Sequence, residues 1–248
     1  MESLKCLSEK SILLLHKNNL LRSLIESELT SNILKSVKLD KDLENEIVKK
    51  FRTNIGINDE NSYQSWLEKS KMKNNDFINL ALTDIRLKTY SKENFDHQVE
   101  TRFLERKQKL DSVVYSLIRI KNIHKIKEIY LRLIEKEESF RDLATKFSEG
   151  AENKTGGIIG PVILEKTHPV LANHLSRIKP GEVPLPIEID GTYIIVRLES
   201  LYRAKLDDFM REKMLEELFN NWIQNKSIEL NEKIIKSSLK EFHEGDIS

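Results

Sequence analysis

Glycine and proline are distributed very unevenly along this sequence, and no other feature constrains its fold as strongly. Only one of the 8 glycines, Gly56, lies before residue 150, and all 5 prolines lie between residues 161 and 186. Both residue types interrupt helices and shape turns. The sequence therefore predicts a helical first half, followed by a mixed part in which turns and short strands are concentrated.

The first half carries helical periodicity. Its apolar residues recur at three- and four-residue steps, as in Leu20, Leu21, Leu24, Ile25 and Leu29. Such spacing is typical of one face of an amphipathic helix. A second helix is predicted from Asp40 to a terminating Gly56, a third after the cap candidate Asp59, and a fourth from about Asp76. Ser91 is the predicted N-cap of a last, charged helix.

At Ser112 the spacing of apolar residues changes from a helical pattern to a strand-like one. The run "SVVYSLIRI" is rich in β-branched residues and predicts a strand. From there to residue 202 the pattern reads strand, helix, helix, strand, helix, strand, strand. Pro180-Gly181 fits the centre of a type II turn, and Asp190-Gly191 is typical of a tight hairpin. From Asp207 the helical period returns and continues towards the end of the chain.

Composition excludes several classes of protein. The chain has 41 Lys+Arg and 40 Asp+Glu residues, so its net charge gives no argument for nucleic-acid binding, and no basic stretch interleaved with aromatic residues indicates it either. Its single cysteine, Cys6, rules out an intramolecular disulfide. No apolar run approaches the roughly 18 residues of a membrane span or the length of a secretory signal. We therefore expect a soluble, cytoplasmic protein.

Three segments together resemble the parvulin (PpiC-like, rotamase) family of peptidyl-prolyl cis/trans isomerases. They are "FRDLATKFSEG", "GGIIGPV" and "IKPGEVPLPIEIDGTYIIVRLES", and they occur in the order and spacing of that family. The resemblance implies an α+β fold with a small antiparallel sheet surrounded by helices. It also implies a larger, chaperone-like architecture: a helical lobe over 1–111, a parvulin-like domain over 112–202, and a C-terminal helix over 203–248 that returns to the lobe.

The family's pocket residues can be carried over by position. The resemblance places them at Leu117, Ile158, Thr167, Leu171 and Tyr193. None of these positions keeps the histidines, the acidic or thiol group, the methionine or the phenylalanine usual in active members. The tyrosine hydroxyl is the candidate catalytic group, and His168 lies near the expected rim of the pocket. We expect no cofactor and no metal, since His168 and His174 are six residues apart and do not share a helical face.

These substitutions leave three functions open. The first is a peptide-binding folding helper, or chaperone, with weak or lost isomerase activity. The second is an active prolyl isomerase that uses the apolar pocket and the tyrosine hydroxyl. The third is an accessory subunit of a peptide secretion or processing complex. In the first two readings the partner is an unfolded or proline-containing polypeptide, and the sequence gives no indication of the oligomeric state.

Overall fold

The computed structural model describes residues 6–245, and side chains as far as residue 238. Within this range the chain forms two compact units. The helical unit comprises the described residues up to Arg102 and from Asp207 onward, and the sheet unit comprises Phe103–Leu206. The predicted α+β class is confirmed. No helix among the described residues is both long and apolar enough to cross a membrane.

The helical unit contains most of the helices. They are α1 (Glu9–Lys17), α2 (Leu21–Ser36), α3 (Lys41–Asn54), α4 (Glu60–Ser70), α5 (Asn74–Phe95) and α10 (Asp208–Gly245). A further helix, α6 (Val99–Leu110), runs across the division between the units. The predicted caps are present at two starts: Asp40 accepts a hydrogen bond from the Asp42 N–H, and Asp59 accepts one from the Ser62 N–H. Gly56, with φ 78°, follows α3 as predicted.

Two sequence predictions in this unit are wrong. Ser91 does not cap a helix, because α5 continues through it to Phe95 and its side chain is buried. With no glycine or proline to stop the helix, burial of the neighbouring Tyr90 and Phe95 rings against Phe219 and Trp222 favours continuation. Likewise, Leu20 precedes α2 and is exposed, so the apolar face of that helix is narrower than its spacing predicts.

Apolar side chains of the helical unit also pack in clusters apart from these rings. Phe77 is fully buried and meets three aromatic rings edge-on, those of Phe51, Tyr63 and Trp66. A separate cluster joins Leu21 and Ile25 of α2 to apolar residues of α10. The C-terminal helix therefore packs within the same unit as the N-terminal helices, as the predicted fold class requires.

The sheet unit is built on four antiparallel strands in the order β2-β1-β4-β3. They are β1 (Ser112–Ile120), β2 (Ile158–Ile163), β3 (Ile187–Ile189) and β4 (Thr192–Tyr202). Helices α7 (Ile123–Ile134) and α8 (Phe140–Phe147) lie between β1 and β2 in sequence, and α9 (Pro169–Leu175) lies between β2 and β3. The buried clusters place α7 and α8 on one face of the sheet and α9 on the other.

The turns of the sheet unit follow the sequence pattern closely. Asp190 and Gly191 both have positive φ, 48° and 71°, as the predicted tight hairpin between β3 and β4 requires. Gly181 has φ 85°, and the Glu182 N–H donates to the Lys179 carbonyl across the predicted type II turn. The Asp190-Gly191 hairpin fixes which residues of β3 and β4 face each other.

Candidate functional site

The central strands β1 and β4 send alternate side chains to two separate cores. We call the side that packs against α9 the α9 face, and the side that packs against α7 and α8 the α8 face. Leu117 pairs with Val196 on the α9 face, and Ile118 pairs with Ile195 on the α8 face. Since side chains alternate along a strand, each position on these strands belongs to one face only.

Leu117 and Leu171 lie together on the α9 face. They are 1% and 5% exposed, and both belong to one buried cluster that also contains Leu175 and Val196. Their side chains occupy the space between sheet and helix as core residues. The structure thus brings two of the resemblance-derived positions together, in a packed arrangement.

Tyr193 and Ile158 lie on the other face. Tyr193 pairs with Ile120 and packs against the α8-face cluster, while Ile158 pairs with Ser116. Ile158 is 49% exposed. The sheet therefore separates these two side chains from Leu117 and Leu171, and the four do not line one pocket.

Tyr193 lies directly opposite Glu188 of the neighbouring strand β3. Desolvation raises the pKa of Tyr193, and the nearby carboxylate of Glu188 raises it further. The tyrosine side chain therefore faces a carboxylate across the strand pair.

Thr167 and His168 lie at the start of α9. Thr167 Oγ1 donates to the Leu164 carbonyl at 2.7 Å. His168 precedes Pro169, the first residue of α9, and its Nε2 lies 3.7 Å from Asp190 Oδ2. The exposed imidazole therefore lies next to the β3–β4 turn, at the rim rather than in the buried α9-face cluster.

A cavity of about 340 Å³ lies beside α9. One stripe of the helix, Pro169, Ala172 and Asn173, lines it together with Thr167 and with Gln108 at the end of α6. Of the resemblance-derived positions only Thr167 contributes to its wall. Sequence reasoning missed Gln108, because nothing in the charged pattern of α6 indicates that its last turn approaches α9.

The loop after α8 is docked to the end of β1 by hydrogen bonds. The Arg119 N–H donates to Ser148 Oγ at 3.0 Å, and the Glu149 N–H donates to the Arg119 carbonyl at 2.9 Å. Ser148 Oγ and Arg119 Nε both donate to Glu152 Oε1. The serine and glutamates of "FSEGAEN" are therefore engaged in holding the loop.

Gly157 permits the close approach that follows this loop. Its φ is 87°, and a Cβ on it would lie 2.9 Å from both the Ala144 Cβ and the Leu117 carbonyl oxygen. Gly156 and Gly160 also have positive φ, which glycine adopts without the steric cost of a side chain. The glycines thus serve the backbone path into β2.

A polar cluster next to Ile158 completes the α8 face. Ser116 is buried and donates a hydrogen bond to Glu199, whose carboxylate also accepts from Arg197 Nε at 2.8 Å. The Arg197 guanidinium lies 4.9 Å from the centre of the Phe140 ring. Each charge here has a partner, so the cluster stabilises the sheet and offers no free general base. Among residues 6–245, no group of three or more His, Cys, Asp or Glu side chains is arranged to hold a metal ion.

Residues 119–200 match the family model described as a PPIC-type PPIASE domain, or Rotamase. PrsA from Bacillus cereus is 18% identical, with 95% of this chain and 88% of that chain covered and a TM-score of 0.51. PrsA from Bacillus anthracis is 19% identical, with 89% and 97% covered and a TM-score of 0.45.

A third structure comes from work on PEB4 and the periplasmic protein Cj1289, described as SurA-like chaperones of Campylobacter jejuni. It is 16% identical, with 89% of this chain and 92% of that chain covered and a TM-score of 0.37. No curated protein matches the chain. At these identities the solved structures show likeness of fold alone, and fold does not by itself fix activity. The matched family model shows that the chain contains a PpiC-type, parvulin-like domain, and the helices on both sides of it in sequence place this domain within a larger and mainly helical architecture.

Proposed function

We propose that this chain is a parvulin-type folding helper. Its PpiC-type domain would bind extended, proline-containing polypeptide segments, with prolyl isomerase activity weak or absent. The family match over residues 119–200 supports the class of partner. The weak or absent activity is inferred from one observation: Leu117 and Leu171 are buried in one core cluster, and Tyr193 lies on the opposite face of the sheet.

The chemistry of isomerisation explains why this observation matters. Rotation about a prolyl bond crosses a barrier of roughly 18–20 kcal/mol, and a catalyst lowers it by binding the twisted amide better than the planar one. That requires an open, water-poor space next to placed polar groups. Here Leu117 and Leu171 are buried core residues of one cluster, so neither side chain is open to a client, which supports binding without efficient catalysis.

Ile158 is the proposed apolar contact for the client. It lies on β2, an edge strand of the sheet, and about half of the residue is exposed. A large apolar side chain at such a position can cover a proline ring or an aliphatic side chain of an extended peptide. Its neighbours Ser116 and Arg197 are held by Glu199, so the surface around it is already ordered.

A protease-coupled assay on a series of X-Pro peptides tests the catalytic part. We expect the full chain to leave the spontaneous isomerisation, which takes about 10–100 s at 25 °C, nearly unchanged. Tyr193→Phe removes the one candidate hydroxyl, and Tyr202→Phe, on the same strand and exposed, is the matched control. Strong acceleration that Tyr193→Phe abolishes and Tyr202→Phe preserves would establish an active isomerase instead.

Fluorescence anisotropy tests the binding part. Two labelled peptides that differ only by proline or alanine at one position are titrated with the full chain, with Ile158→Ser and with Leu131→Ser. Leu131 is exposed on α7 and serves as the control. We expect Ile158→Ser to weaken binding of the proline peptide about fivefold or more. We expect Leu131→Ser to leave that affinity unchanged.

Two further outcomes separate the remaining possibilities. Co-purification of the chain with a membrane transporter, without any peptide affinity, would favour an accessory subunit of a secretion or processing complex. The cytoplasmic location expected from the sequence stays a prediction, and fractionation of cells that express the native protein tests it.

A further inference from the structure

A polar cavity lies at the turn between α1 and α2, beside α10 and within the helical unit. Its volume is about 480 Å³, and seven of its eight lining residues are polar. They include His16 of α1, Asn19 of the turn, and Gln224 and Asn231 of α10. The volume falls within the range of small-molecule sites, about 300–1,000 Å³. The polar wall suits a small polar ligand better than an apolar one.

Arg22 is held in the wall of this cavity by one edge of its guanidinium group. Its Nε–H is shared between Glu26 Oε1, at 3.0 Å, and Ser227 Oγ, at 3.2 Å. Ser227 is fully buried on α10 and itself donates to Glu26 Oε1 at 2.9 Å. The N–H groups on Nη1 and Nη2 donate to no group in the part of the chain that the structure describes. A guanidinium oriented in this way keeps a free fork for a carboxylate.

The same cavity contains acceptor oxygens that lack a donor. The Oδ1 atom of Asn231 is buried and accepts no hydrogen bond from any described residue. Glu26 also lines the cavity, and within the described range its Oε2 atom accepts none, since both of its hydrogen bonds are made by Oε1. A buried acceptor without a donor has lost its bonds to water and gained nothing in return. A ligand that brings N–H donors to these oxygens restores such bonds.

The charges of the wall favour a zwitterion. Arg22 carries a positive charge and Glu26 a negative one, and both line the cavity. A simple anion would meet the carboxylate of Glu26, and a simple cation would meet the guanidinium of Arg22. A molecule with both a carboxylate and an ammonium group complements the two. The other lining residues, among them Ser23 and Gln224, offer uncharged hydrogen-bonding groups, which suit an uncharged polar side chain.

We propose that this cavity binds a free α-amino acid with an uncharged polar side chain, such as glutamine. The carboxylate of the ligand accepts from the Nη groups of Arg22, and its ammonium group donates to Glu26 Oε2 and Asn231 Oδ1. The site goes beyond the function proposed for the PpiC-type domain, since it lies in the other unit and takes a small molecule instead of a polypeptide.

Isothermal titration of the full chain with glutamine tests the class of ligand. Three matched compounds each lack one group: glutaminamide has no carboxylate, N-acetylglutamine has no ammonium group, and leucine has no polar side chain. We expect glutamine to bind, and glutaminamide and N-acetylglutamine to bind about tenfold more weakly or less. Leucine should also bind more weakly. No binding at millimolar glutamine, or equal affinity for any of the three compounds, would overturn the proposal.

Asn231→Leu tests the unpaired acceptor at nearly constant side-chain volume. We expect it to weaken glutamine binding about tenfold or more, and to leave the Tm of the ligand-free chain unchanged or higher, because it removes a polar group that the fold does not pair. Asn221→Leu, at an exposed position on the same helix, should leave glutamine binding unchanged. Unchanged affinity in Asn231→Leu, or a lower Tm, would show that this side chain serves the fold and would overturn the assignment.

Arg22→Lys tests the fork, because lysine keeps the positive charge but not the planar pair of donors. We expect about tenfold weaker glutamine binding, and no change in Arg132→Lys, which replaces an arginine that also pairs with glutamates. Inorganic phosphate that binds more tightly than glutamine would make this a simple anion site and overturn the proposal. Arg22→Lys should bind the proline peptide as the parent does, so failure here is distinguishable from failure of the function proposed for the PpiC-type domain.

Discussion

Ser148 Oγ donates a hydrogen bond of 2.6 Å to Glu152 Oε1, a carboxylate oxygen of a residue that is only 6% exposed. The same oxygen accepts from Arg119 Nε at 3.1 Å. Burying a carboxylate is costly unless it is paired and hydrogen-bonded. Glu152 meets both conditions, so it holds the loop after α8 against the end of β1.

Replacing this carboxylate should loosen the sheet unit. Glu152→Gln keeps the shape but removes the charge shared with Ser148 and Arg119. Because hydrogen bonds to charged groups are stronger than neutral ones, we expect a loss of about 1–2 kcal/mol in the free energy of unfolding. Urea unfolding followed by circular dichroism measures it, and hydrogen exchange at β1 amides locates it. Glu137→Gln, an exposed carboxylate after α7, is the control. Equal losses in both variants would contradict this role.

Gly157 and Gly181 form a matched pair for testing close packing. Their φ values are 87° and 85°, but only Gly157 has atoms within 4 Å of an added Cβ. Alanine at either position adopts a left-handed conformation at a cost of roughly 1–2 kcal/mol. Gly157→Ala should cost a further 1–3 kcal/mol or so through overpacking against Ala144 and Leu117. Similar unfolding midpoints for the two variants would show that the backbone near Gly157 moves enough to relieve the overpacking.

Phe77 and Phe209 give a second matched comparison, in the helical unit. Phe77 is fully buried among three aromatic rings, whereas Phe209 is exposed. We expect Phe77→Ala to destabilise the unit by about 3–5 kcal/mol, and Phe209→Ala to stay within about 0.5 kcal/mol of the parent. Tryptophan fluorescence reports unfolding, because Trp66 lies against Phe77. A large loss of stability in Phe209→Ala would mean that the Phe209 ring supports the fold.

Glu229 should make the helical unit sensitive to acid. Hydrogen bonds from Lys226 and then Lys233, together with their charges, lower the pKa of Glu229 from 4.5 to about 2. A carboxyl with a lowered folded pKa contributes stability above its unfolded pKa, and loses it as the pH falls towards the folded value. The difference in Tm between the parent and Glu229→Gln should thus be present at neutral pH and shrink between about pH 4.5 and 2. Added salt should reduce it throughout, and a difference independent of pH would refute this origin.

Local signals in the sequence predicted the local geometry well. Asp190-Gly191 and Pro180-Gly181 each have a backbone conformation that few other residues adopt, and both turns occur as predicted. Ser91 shows where local signals fail. A serine inside a charged pattern resembles an N-cap, but the aromatic contacts that keep α5 helical come from α10, more than a hundred residues away.

The arrangement of the candidate site depended on strand register, which the sequence did not reveal. The resemblance assigns Leu117 and Tyr193 to one pocket, yet Leu117 pairs with Val196 and Tyr193 pairs with Ile120. The two residues are therefore three rungs apart, and an odd number of rungs places side chains on opposite faces. Motif spacing gives the positions along each strand, but only the register between strands assigns the faces.

The pairing of β1 with β4 has a consequence for biosynthesis. The two strands that carry both cores of the sheet unit lie near its two ends in sequence. Leu117 on β1 therefore cannot pair until Val196 on β4 has been synthesised. In the helical unit, Arg22 meets Ser227 across a separation of 205 residues. Contacts between residues this far apart in sequence form late and slow folding. A ribosome must therefore release β4 before the sheet unit is complete and α10 before the helical unit is complete, so a protein proposed to assist the folding of others cannot complete either of its own units from its first elements alone.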